Sequence, residues 1–191
     1  TSALELAEPL VSPDAAKEAL DLMERILRAA SEPSRREEER ATSRRAAALL
    51  RERYEASGRH ADVARVLAIE LEASDDPGER AERLRAIARV RRHDLGDDAG
   101  AFDALGDLLV LSPEDADARG ELALLGERLG RHARLGDVLA AAADRTFGTL
   151  RTELLAQAAA IFDKKVGDAG RAIALARSVL GAAHADPVAS L

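Results

Sequence analysis

A chain of 191 residues that is 47% hydrophobic, 33% charged and only 2% aromatic reads as a folded soluble protein whose core is assembled from small aliphatic side chains. The absence of cysteine excludes disulfides, thiolate metal sites and a cysteine nucleophile, and fits a reducing, cytoplasmic setting. A net charge of −7 argues against general nucleic-acid binding, and no apolar run approaches the ~18 residues of a membrane span.

In chain order, Ser12-Pro13 opens a first predicted helix over 14–30, with Ala16, Leu20, Met23 and Leu27 along one face. Residues 1–33 thus hold a lone helix. Ser34 with Glu37 has capping-box spacing and starts a second helix, 34–56. Its charged run from Arg35 to Arg40 reads as a solvated face with pairs such as Arg35 with Glu39. Helices are then predicted at 61–73, 78–94, 98–111, 114–129, 132–145, 149–166 and 169–183. Their apolar residues fall three and four apart, as in Leu135, Val138, Leu139 and Ala142.

The punctuation repeats. Gly58, Gly96, Gly130 and Gly167, each followed by a charged residue, lie 38, 34 and 37 residues apart and read as helix terminators. Asp76-Pro77, Ser112-Pro113 and Asp186-Pro187 read as starts, with Ser or Asp as cap and Pro as first helical residue. Residues 34–191 therefore divide into about four helical hairpins, with another helix beginning at Pro187. With Thr1 at its start and a helix opening at its end, the chain reads as a fragment of a longer repeat protein. Rich in Arg and Ala, with no Asn and only Lys17, Lys164 and Lys165 as lysines, it suggests a G+C-rich bacterial source.

Candidate chemistry is weaker. Gly58-Arg59-His60-Ala61 recurs as Gly130-Arg131-His132-Ala133, so these histidines read as turn residues rather than ligands, and His93 and His184 stand apart. Asp94, Gly96 and Asp98, and likewise Asp115, Asp117 and Gly120, imitate calcium loops. Leu105 and Gly126 then stand where the closing Glu belongs, so these acids read as helix-start residues. No phosphate loop, zinc-protease motif or nucleophile elbow occurs, and no cofactor or metal site is predicted.

Over residues 44–191 the pattern resembles the tetratricopeptide repeat family, whose unit is two helices over about 34 residues. The repeat holding Gly96 places Ala101 at the family's small position and Pro113 at its closing proline, and the repeat holding Gly58 places Tyr54 at the family's aromatic position. Its Trp is missing, and Val63 and Leu135 stand where the small residue is expected. The resemblance implies an all-α, right-handed solenoid of stacked antiparallel hairpins, whose first helices line a groove for a partner segment. Carried over by the glycine register, groove positions are Arg45, Glu52, Arg83, His93, Glu127, Arg128, Gln157 and Lys164. Arg45, Arg83, Arg128 and Lys164 form a loose basic row. The expected function is therefore non-enzymatic: a scaffold or interaction module for a protein or peptide partner with acidic groups. The second reading is an assembly element that self-associates through open solenoid ends.

Overall fold

The computed structural model describes residues 51–185 together with 25, 47, 48 and 50. The expected starts at Ser12-Pro13, Ser34 and Asp186-Pro187, the Arg35 to Glu39 pair and the lone helix of 1–33 fall outside this range, apart from Arg25, which is helical. Among the described residues there is helix and no strand. After a helical stretch over 50–56 come α1 (His60–Ala73), α2 (Pro77–Arg89), a π turn (Val90–Asp94), α3 (Asp98–Leu111), α4 (Ala116–Leu129), α5 (His132–Ala143), α6 (Gly148–Ile161), a second π turn (Phe162–Val166) and α7 (Ala169–Ala185).

Two compact units divide the chain, Thr1–Val90 and Arg91–Leu191. In the first, α1 packs against α2, and Val63, Val66, Leu67, Leu84 and Ile87 of these helices are buried. In the second, α3 packs on both α4 and α5, α5 on α6, and α6 on α7. Its core is Phe102, Leu108, Leu109, Leu122, Leu125, Leu154 and Phe162, each under 2% exposed. Ala101 is fully buried on α3.

The four expected terminators all adopt the left-handed conformation, at φ +66° (Gly58), +64° (Gly96), +66° (Gly130) and +77° (Gly167). Their closures are of two kinds. At Gly58 and Gly130 the next residue's N–H returns five residues, Arg59 to the Tyr54 carbonyl and Arg131 to that of Gly126, both at 2.9 Å. At Gly96 and Gly167 it returns six, Asp97 to the Arg91 carbonyl at 2.7 Å and Asp168 to that of Phe162 at 2.9 Å. These wider closures end the two π turns, each of which widens the helix locally. The uneven glycine spacing follows: α2 and α6 carry an added π turn of 5 residues, whereas α4, at 14 residues, carries none.

The same local devices recur along the chain at a second pair of helices. Arg80 donates to the carbonyls of Leu71 at 2.8 Å and Ser74 at 3.0 Å, satisfying the end of α1, and Arg151 does the same for α5 at the Ala143 carbonyl, 2.8 Å. Each is the fourth residue of its helix.

One helix start differs from expectation. Asp76 and Pro77 open α2 as predicted, with the Asp76 side chain accepting from the Glu79 N–H at 2.8 Å. Ser112, in contrast, ends α3, Pro113 is buried in the turn, and Asp115 caps α4 by accepting from the Ala118 N–H at 2.9 Å. Asp115 outcompetes Ser112 because its carboxylate lies three residues before a free N–H. The expected helices 78–94 and 149–166 are each an α-helix followed by a π turn.

Val63 and Leu135 are buried core residues, whereas close approach occurs at Gly136, where a Cβ would stand 2.6 Å from Phe162 Cε2.

Candidate protein-binding surface

Of the expected groove positions, Arg45 lies outside the described residues, and Glu52 is exposed on the helical stretch over 50–56. Arg83, on α2, reaches inward to Glu70 of α1, Nε to Oε2 at 2.6 Å, and Arg51 joins the same oxygen at 3.0 Å. The Glu70 side chain is 7% exposed, and burial pushes its carboxyl above the usual glutamate value despite the two guanidinium groups. A raised carboxyl means the folded state holds the proton more tightly than the unfolded one. Stability from this group is then present at low pH and lost as pH rises through the folded-state value. Glu70→Gln should remove that loss, so wild-type stability measured against the variant should fall between about pH 4 and pH 7. Urea denaturation at both pH values, with a difference that does not change, would contradict it.

The remaining positions belong to the second unit. On α4, Leu124, Glu127 and Arg128 are spaced three and four apart and share an exposed face. Leu124 is 67% exposed. On α6 and its π turn, Glu153, Gln157, Ala160 and Lys164 form a second exposed ridge, and His93 is exposed in the first π turn.

Ion pairs link these elements in two rows. Among elements that precede a glycine, Arg92 of the first π turn pairs with Glu121 of α4, and Glu127 of α4 pairs with Lys165 of the second π turn at 3.0 Å. Among those that follow one, Arg131 at the start of α5 pairs with Asp103 of α3 at 3.1 Å, and Arg171 of α7 pairs with Asp137 of α5. Exposed pairs of this kind contribute about 0.2–1 kcal/mol each, so they fix register more than they stabilise. Arginines reinforce the second row by lying over rings, Arg131 over Phe102 at 5.5 Å and Arg171 over Phe162 at 3.8 Å.

The basic row is thus partly neutralised. Arg83 is held by Glu70, and Arg128 pairs with Asp98 at 2.5 Å. Lys164 makes no ion pair among the described residues, whereas its neighbour Lys165 takes Glu127. Sequence reasoning missed Leu124, although it precedes Glu127 and Arg128 by one helical turn. Asp97 and Asp115 act as helix caps, and His60 and His132 are the first residues of α1 and α5. No group of three or more metal-ligating side chains occurs among the described residues, and no described helix is long and apolar enough to cross a membrane. Neither the protein-family models, nor the curated proteins, nor the solved structures contain a match to this chain.

Proposed function

We propose that this chain is a non-enzymatic protein-interaction or scaffold module, a right-handed stack of tetratricopeptide-like hairpins that receives a partner segment along its first helices. The carrying observation is the row of ion pairs from Arg92 to Glu121 and from Glu127 to Lys165, which ties α4 to the π turns before and after it. Side-by-side elements of this kind offer a continuous face, and a hairpin stack gains its core by such repetition. On that face, Leu124 supplies apolar contact and Lys164 a cation for a carboxylate. Arg128 contributes less, since a partner must compete with Asp98. The partner segment is therefore acidic with an apolar anchor.

Selection of a random peptide library on the folded protein tests this. Enriched peptides should pair Asp or Glu with a large apolar residue, and Leu124→Asp and Lys164→Glu should each weaken them. Enrichment of peptides insensitive to both substitutions, or no enrichment, would overturn the assignment.

A further inference from the structure

The outer face of α7 has a chemistry of its own. Ala169, Ile173, Ala176 and Leu180 recur three and four apart, with Ile173 52% and Leu180 63% exposed, while Ala172 faces inward at 8%. In an acidic chain α7 carries no Asp or Glu from Ala169 to Ala185, and its charges are Arg171 and Arg177. Arg171 is engaged by Asp137 and Phe162. Arg177, one turn beyond Ile173 and bordering the stripe, is exposed and makes no ion pair among the described residues.

We infer that this face docks an amphipathic helix of a partner protein whose apolar stripe is flanked by carboxylates. Apolar anchors at helical spacing fit a helix laid alongside, and the small Ala169 and Ala176 allow its backbone to come close. The charge selects the partner's sign. A second copy of α7 in antiparallel register would bring two Arg177 side chains toward the same crossing with no acid on either helix to separate them. A helix with Glu beside its stripe meets Arg177 favourably, and Arg can grip a carboxylate through two parallel hydrogen bonds.

The probe is a fluorescein-labelled helical peptide of about 18 residues, or five turns, with Leu along one stripe and Glu beside it, together with a twin carrying Lys for Glu. The Glu peptide should bind roughly two- to fivefold more tightly than its twin at low salt, and Arg177→Glu should reverse that order. Ile173→Ser should abolish binding of both, with an unchanged denaturation midpoint because the side chain is exposed. Leu124→Asp should leave binding intact, which separates this site from the first-helix face. Equal binding of the two peptides, binding unaffected by Ile173→Ser, or no binding at all would overturn the inference. So would a mass of the chain alone that rises with concentration and falls back in Ile173→Ser, since a second copy would then be the occupant.

Discussion

Phe162→Ala is expected to destabilise the second unit by about 3–5 kcal/mol, the range for removing a buried aromatic ring without full collapse of the space it leaves. Phe162 is fully buried and opens the second π turn. Its ring meets α5 at Gly136 and lies beneath the Arg171 guanidinium of α7, so three successive helical elements meet on one side chain. Its carbonyl also accepts from both Gly167 and Asp168, although the substitution leaves that backbone closure intact. Chemical denaturation followed by circular dichroism would measure the effect. A midpoint close to wild type would show that the ring does not hold α5, α6 and α7 together.

Gly136→Ala is expected to reverse the usual helical rule. In an open helical position, Gly to Ala gains about 1 kcal/mol through propensity. Gly120, on α4, is such a position, with nothing within 4 Å of an added Cβ. At Gly136 the added carbon would stand 2.6 Å from Phe162 Cε2 and 2.8 Å from Cζ, and a fully buried ring has little room to yield. Overpacking should therefore cost about 1–3 kcal/mol. The two positions are coupled: in a Phe162→Leu background, Gly136→Ala should regain most of that loss. Denaturation of the four-member cycle, with Gly120→Ala as reference, checks this. Additive effects of the two substitutions would remove the proposed close approach.

Much of the fold was legible because helix ends leave chemical marks. A glycine between two apolar-periodic segments predicts a left-handed residue, and Gly58, Gly96, Gly130 and Gly167 all adopt one. Asp76-Pro77 was equally readable. Ser112-Pro113 was misleading because Asp115 competes for the same role, and only the hydrogen bond to Ala118 decides between them. The π turns were hidden because bonds returning four or five residues use the same side chains, and only the spacing of 38 and 37 against 34 carried a trace.

The candidate surface was less legible. Exposure of Glu127, Arg128, Gln157 and Lys164 follows from helical phase, but the partners of the arginines do not. Arg83 finds Glu70 and Arg128 finds Asp98 across helices, and one-dimensional spacing does not specify which acid lies opposite. Gly136 was overlooked for a related reason. Its significance comes from Phe162, which lies 26 residues further along the chain.

Zero-length carbodiimide cross-linking of the unmodified protein tests most directly whether successive first helices lie side by side and so build the proposed partner-binding face. Lys17, Lys164 and Lys165 are the only lysines, so the products are few and can be sorted by fragmentation mass spectrometry. An isopeptide between Lys165 and Glu127 within the monomer is expected, since the Nζ lies 3.0 Å from one carboxylate oxygen. Lys165 coupling only to neighbouring acids such as Asp163, with none to Glu127, would contradict it.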